Sequence, residues 1–408
     1  MTADVREAPE VERFGAFRRL GRNRDFRLMW IGQATSELGS SITNLALPLL
    51  VFALSGSAAL AGLLGTISYL TMWLAQIPGG YVADMFDRRR VMLWCDLGRA
   101  VLVGVAAVAV FTGLATPVLL LVVVGAATFL WSTFGAAEQQ AIRLVVPSDQ
   151  LPEAIGINQA RGFAMDLVGP VLCGWLFTLD HALPLSVDVI TFMVSLACVW
   201  FVRTSLRTEN RPTVGRLLPD VGRGWTELWR NPFLRAKTAY SIVTNFAVSM
   251  LLFVLILSSA GGVLIGLGVS IASAAGLAGS LLAPAAARLV PMRALLVGVA
   301  LLRAGSLAVA LLVGASWALV PVLATVILLG PMAGAALAVA QIRLVPGEVL
   351  GRAGGASGFL SSALQPVAPL AAGLLVQYLA PGPVKLVLIG AFLLVALVAA
   401  VVPGLSRR

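Results

Sequence analysis

The stretch Gly79-Gly-Tyr-Val-Ala-Asp84-Met-Phe-Asp87-Arg-Arg-Arg90 lies between two long apolar runs. Two aspartates and three arginines within seven residues cannot stay in hydrocarbon. There a charged side chain costs about 2.5–3.5 kcal/mol on insertion scales. The segment therefore reads as a short loop at a membrane face. Its arginines assign the face, because short loops rich in Lys and Arg are retained in the cytoplasm.

Outward from this loop, apolar windows of about 20 residues recur along the whole chain, each long enough to cross a hydrocarbon core. Of the 408 residues, 59% are hydrophobic and 12% are charged, about half the charged share of a soluble domain. A soluble protein is excluded. The pattern predicts an all-α membrane protein with twelve transmembrane helices, at 28–54, 59–82, 91–112, 117–145, 153–178, 183–203, 236–258, 261–287, 293–314, 317–345, 352–379 and 384–402. No short apolar region with a cleavage site follows the polar start, so the first run is expected to be a retained span rather than a signal peptide.

Charge distribution tests this topology. With both termini and alternate loops assigned to the cytoplasm, that side and its span ends hold 26 of the 29 basic residues. The opposite side holds Lys385, and Arg99 and Arg303 fall inside spans. The net charge of +10 thus reports membrane orientation, and no nucleic-acid partner is expected. The expected division is a cytoplasmic segment at 1–27, a six-helix half at 28–203, a cytoplasmic linker at 204–235, a second six-helix half at 236–402 and a tail at 403–408. The linker is expected to be ordinary, with a surface helix at Trp225–Trp229 as the alternative.

The two halves are related. Gln140-Ala-Ile-Arg143-Leu-Val-Val-Pro147 recurs as Gln341-Ile-Arg343-Leu-Val-Pro346. Pro147 and Pro170 are 23 residues apart, as are Pro346 and Pro369. Leu151, Ala154, Gly156 and Gly174 match Leu350, Ala353, Gly355 and Gly373. Duplicated halves with a site at their interface are a transporter architecture.

Gly80, Asp84, Arg88, Arg89 and Arg90 fill the places of the loop signature of the major facilitator superfamily, which the chain resembles over nearly its whole length. Met85 and Asp87 depart from that signature. The FDRRR form, followed by Cys-Asp-Leu-Gly-Arg-Ala at 95–100, resembles the branch containing enterobactin and macrolide exporters. Gly169, Pro170 and Gly174 resemble the Gly-Pro-x-x-Gly-Gly motif of proton-coupled antiporters, with Cys173 in place of one glycine. The resemblance implies a two-half bundle and export. Its loop would act as a conformational latch in which Asp84, Arg88, Arg89, Arg90, Glu138 and Arg143 pair when the cavity faces outward.

The residues suggest the chemistry. Gln33, Glu37, Ser41 and Asn44 recur at helical spacing as one polar face. Glu37 lies ~15 Å into its span at ~1.5 Å per residue, where a carboxyl group can take up and release a proton. Asp166 is the second proton-coupling candidate, with a salt bridge to Arg161 as its structural alternative. Asp96 and Arg99 sit three apart and are expected to pair. Glu138 is expected to partner Arg88, Arg89 or Arg143. In the second half the polar candidates are Ser241, Asn245, Ser361 and Gln365, with helix–helix hydrogen bonding as the structural alternative. Trp131 and Phe134 complete a largely apolar cavity, better suited to an amphipathic molecule than to a sugar.

No phosphate-binding GxxxxGK[ST] loop, metal-ligand cluster or catalytic constellation is visible. Neither enzymatic activity, a cofactor nor a metal is expected, and energy would come from an ion gradient. The expected function is proton-coupled efflux of a small amphipathic molecule, such as an antibiotic, siderophore or other secondary metabolite. The transporter is expected to be a monomer in a bacterial plasma membrane. The alternatives are an importer on the same fold, a non-transporting scaffold or sensor, and the membrane subunit of an ATP-driven pump.

Overall fold

The computed structural model describes residues 20–147, 150–207, 225–258, 262–313, 318–345 and 347–402. Most of the expected N-terminal segment, the linker at 208–224 and the tail at 403–408 lie outside the described residues. In chain order the helices are α1 (Arg24–Ser55), α2 (Ala58–Met85), α3 (Arg88–Phe111), α4 (Pro117–Val145), α5 (Leu151–Leu179), α6 (Leu183–Trp200), α7 (Pro232–Ser258), α8 (Gly262–Leu289), α9 (Met292–Val313), α10 (Leu319–Leu344), α11 (Gly347–Ser361), α12 (Val367–Tyr378) and α13 (Pro381–Val401). Among the described residues, 11 helices are long and apolar enough to cross a membrane.

The expected eleventh span is not one helix. A turn at 362–366 separates α11 from α12. Pro366 lacks an amide donor, and its ring crowds the carbonyl four residues earlier. Just before the turn, the Ser361 and Ser362 hydroxyls bond back to the carbonyls of Ser357 (2.7 Å) and Phe359 (3.1 Å). The two pieces together make the twelfth crossing.

The opening stretch is also more helical than its charge suggests. α2 continues through Met85 and α3 begins at Arg88, leaving only Phe86 and Asp87 between them. Asp87 caps α3 by accepting a hydrogen bond from the Arg89 amide at 3.0 Å. The arginines therefore occupy the first turn of a helix, not a loop. Residues 225–230 are helical rather than ordinary linker, with Leu228 buried and Trp229 exposed.

Equivalent helices pack alike in the two halves. α1 packs on α5 and α6, α2 on α4, and α3 on α4 and α6. In the second half α7 packs on α12 and α13, α8 on α10, and α9 on α10 and α13. Each half buries its own apolar clusters. Away from them, α3 exposes Trp94, Leu97, Val101, Val105 and Val108. That spacing of three and four makes one apolar stripe, which suits a lipid-facing surface.

The halves meet mainly through α5 against α8 and α2 against α12. Their hydrogen bonds run from the end remote from the α2–α3 turn to mid-bundle. Ser57 and the Ala59 amide both bond Gln377 at 3.0 Å, the Leu370 amide bonds Thr66 at 3.2 Å, and Trp73 bonds the Phe359 carbonyl at 3.0 Å. Among the described residues no hydrogen bond joins the halves at the α2–α3 end.

Glycine permits the close approach. A Cβ on Gly266 would lie 2.2 Å from the Pro170 carbonyl oxygen, and one on Gly62 would lie 2.3 Å from that of Pro369. Both obstacles are backbone, which cannot rotate away. Gly266→Val is therefore expected to open the far end by pushing α8 off α5. Distances between spin labels at that end should lengthen; an unchanged distribution would contradict this packing.

Candidate functional site

A cavity of about 470 Å3 lies among α1, α4 and α5, with α3 reaching its edge. Gln33, Glu37, Trp131, Phe134, Glu138 and Arg161 are among its walls. At its centre Arg161 holds two carboxylates. Its Nε and Nη2 bond Glu37 Oε2 and Oε1 at 2.9 and 2.8 Å, a bidentate pair. Nη2 also reaches Glu138 Oε1 at 3.1 Å, and Nη1 reaches Asn158 at 3.4 Å. Side-chain exposure is 4% for Arg161, 13% for Glu138 and 31% for Glu37, so Glu37 is the acid most open to the cavity.

This arrangement differs from the sequence expectation in one respect. Glu138 pairs with Arg161, not with Arg88, Arg89 or Arg143. Helix direction explains it, since Glu138 and Arg161 face the same cavity from antiparallel neighbours. Arg143 lines the cavity and is exposed. With two carboxylates against one guanidinium, the fully ionised trio carries one negative charge too many. One proton neutralises it.

Asp166 does not bridge to Arg161. Its side chain interacts with Ser41, and its backbone carbonyl accepts a 3.1 Å hydrogen bond from Ser273 of α8. It therefore sits where the halves meet. Gly169 packs directly on Ser41, where a Cβ would fall 2.5 Å from Oγ. Pro170 lies inside α5 and against Gly266, and Gly174 is buried. Gly169 thus brings α5 onto α1, and Pro170 lies where α5 meets α8.

The expected polar face of α1 divides. Gln33 is buried and donates to Ser195 at 3.4 Å, Glu37 meets Arg161, Ser41 packs on Gly169, and Asn44 is exposed away from both described cavities. Beside it lies a second charged group. Asp96 and Arg99 stand 3.8 Å apart, a loose pair. Asp96 accepts a 2.6 Å hydrogen bond from Ser195, and Arg99 donates one of 2.6 Å to Ser40 and stacks 4.1 Å over Phe192. Asp188 of α6 is buried nearby and bonds Thr191 at 3.2 Å.

The latch residues bond within the first half. Arg88 Nε donates to Gln140 Oε1 at 2.8 Å, and Gln140 Nε2 donates to Asp84. Gln140 thus ties α2, α3 and α4 together through its amide. Arg89 donates to the Trp200 carbonyl at the end of α6, while Asp87 pairs with Arg207 at 3.1 Å. Arg90 is exposed and Gly80 has open space beside it. Asp84 at a helix C-terminus and arginines at a helix N-terminus both oppose the macrodipole, so the local backbone alone does not favour this charge placement.

The second half has a cavity of about 380 Å3 whose walls include Ser241, Asn245 and Gln365. Asn245 donates to the Ser361 carbonyl at 3.1 Å and Gln365 to Ser249 at 3.3 Å. Ser361 spends its hydroxyl on Ser357 and is not part of this wall.

Comparison with known proteins fits this architecture. The family model described as Major Facilitator Superfamily matches residues 29–369. The chain belongs to the major facilitator superfamily. It is 26% identical over 183 residues to macrolide efflux protein A of Streptococcus pyogenes, covering 44% of each chain. It is 25% identical over 179 residues to the uncharacterized MFS-type transporter YkuC of Bacillus subtilis, covering 43% of this chain and 40% of that one. The matched segments thus span less than half of these curated relatives. A bacterial homologue of the iron transporter ferroportin in an inward-facing state has the same fold, with TM-score 0.74 and 15% identity over 93% of this chain and 98% of that one. The nucleoside transporter NupG gives TM-score 0.72 and 16% identity over 93% and 100%.

The chain is thus a multi-pass membrane protein of this superfamily. Three of its charged-site residues were not singled out from sequence. Arg161 falls inside the expected span 153–178 but is expected there only as an alternative partner of Asp166, not as the partner of Glu37 and Glu138. Gln140 carries no charge. Asp188 lies five residues beyond the start of α6, and an acid at that depth is the signal that would have found it.

Proposed function

We propose that the chain is a proton-coupled exporter of small amphipathic molecules, working as a monomer in a bacterial plasma membrane with both termini in the cytoplasm. The supporting observation is the Glu37–Arg161–Glu138 trio in the wall of the first cavity. Two acids sharing one arginine alternate between a proton-loaded and an unloaded state. Because they sit on α1, α4 and α5, a change in pairing acts on three helices at once.

With the α2–α3 turn cytoplasmic, halves joined from the far end to mid-bundle correspond to a cavity open to the cytoplasm. A proton taken up from outside by Glu37 would loosen its bidentate pair and drive the return to the cytoplasm-open arrangement, and cargo bound there with Glu37 unprotonated would move the equilibrium toward the outward-facing arrangement. There the Asp84, Arg88, Arg89 and Arg90 cluster, with Glu138 and Arg143 nearby, would hold the α2–α3 end shut. Trp131 and Phe134 supply apolar wall for an amphipathic cargo, and the export direction is supported by the likeness to macrolide efflux protein A.

Asp84→Asn tests the latch. It removes the charge that Gln140 holds while leaving an amide of the same shape. Spin labels at the α2–α3 end should show a larger open population, and transport should fall severalfold. Wild-type distances together with wild-type transport would rule the latch out.

A further inference from the structure

Arg303 lies near the middle of α9 and is 2% exposed. Its Nη2 donates to the Val326 carbonyl of α10 at 2.9 Å, but among the described residues Nε and Nη1 have no hydrogen-bond partner. The Phe392 ring stands 5.9 Å from the guanidinium carbon. Buried charges are ordinarily paired or fully hydrogen-bonded, as Arg161 is in the first half. The second half offers Arg303 no such acid. From residue 232 to 402 the sequence contains one acidic residue, Glu348, at the start of α11. Tyr240 lines the same cavity as Arg303.

The guanidinium borders the cavity of about 380 Å3, whose walls also include the hydroxyl residues Tyr240 and Thr244. Tyr240 Oη and Thr244 Oγ1 are both buried one helical turn apart beside each other, and among the described residues neither makes a well-formed hydrogen bond. Val248, Ile327 and Leu337 supply apolar wall, and Phe163 of the first half closes one side. The cavity therefore combines a positive charge with no acid beside it, two hydroxyls engaged with at most each other, an apolar lining and a place at the interface of the halves.

We propose that this cavity is an anion-binding subsite, which takes the carboxylate or a similar oxyanionic group of an amphipathic molecule. Arg303 supplies the charge, Tyr240 and Thr244 donate hydrogen bonds, and the apolar walls take the hydrocarbon part. Only the status of that anion as cargo rests on the transport reading; the binding site does not.

Equilibrium dialysis of labelled benzoate against the purified full-length protein in detergent tests it without requiring transport. Labelled benzamide is the neutral isostere, and Arg288→Gln removes the same charge from an exposed helix end. Saturable binding of benzoate, but not of benzamide, is expected. Arg303→Gln should weaken it at least about tenfold, the loss typical of a charge-assisted hydrogen bond, and Arg288→Gln should leave it unchanged. If Arg303→Gln does not fold, Tyr240→Phe combined with Thr244→Val keeps the guanidinium and should weaken binding about threefold or more. Equal retention of benzoate and benzamide, no saturable benzoate binding, or equal losses in the two arginine variants would overturn the proposal. A protein that binds benzoate in this way but drives no efflux would retain the subsite and lose the exporter reading.

Discussion

Glu37→Gln is expected to abolish proton-driven efflux while leaving substrate exchange across the membrane largely intact. The amide keeps an acceptor for Arg161, and Glu138 remains bonded to the same guanidinium, so the fold should persist. What is lost is the group that takes up and releases the proton. A proton crossing 100 mV supplies about 2.3 kcal/mol, so uncoupling removes a steady-state concentration ratio of up to about 40-fold per 100 mV. Exchange needs no net driving force and should survive. Loss of both activities would make Glu37 a structural residue, and retention of both would remove it from coupling.

Arg161→Met is expected to give the largest loss of stability among single changes at the site. It leaves Glu37 and Glu138 facing each other without their common partner. Removing one member of a buried ionic group costs about 3–5 kcal/mol, and the lower end applies because Glu37 is 31% exposed. Unfolding by SDS titration in mixed micelles measures the effect. Adding Glu37→Gln and Glu138→Gln to Arg161→Met should recover most of that stability, because an apolar or neutral replacement of a whole ionic cluster is close to neutral. Transport should not return. Recovery of transport in the triple variant would show that the trio is only a brace.

The fold was legible because a bilayer leaves few choices. Every span needs about 20 apolar residues, so the span order and the relatedness of the halves could be read directly. The broken eleventh span was not, since α11 and α12 together are as apolar and as long as one helix. Only the Ser361-Ser362 and Gln365-Pro366 pairs hint at the turn. The charged loop likewise looked longer than its two residues, because charge marks depth in the membrane while Asp87, a capping group, decides where the helix begins.

Site residues were legible in type but not in pairing. Glu37 stood out as a lone acid deep in a span. Its partner Arg161 is expected from sequence only as an alternative partner of Asp166, and Glu138 is expected to meet Arg88, Arg89 or Arg143 although Arg161 lies 23 residues away. Pairing depends on which helix faces lie together across 124 residues between Glu37 and Arg161 and 23 between Glu138 and Arg161, and periodicity along one helix does not contain that information. Asn44 shows the converse: it has the right spacing on α1 but lines neither described cavity, because Ser41 lies against Gly169 at that level.

Compound accumulation in an efflux-deficient bacterial host, with and without a protonophore, tests the central claim most directly. Cells expressing the protein should accumulate less of at least one amphipathic compound than control cells, and the protonophore should erase the difference. Equal accumulation of every compound in a chemically broad panel, or efflux that persists undiminished after the proton gradient has collapsed, would contradict proton-coupled export.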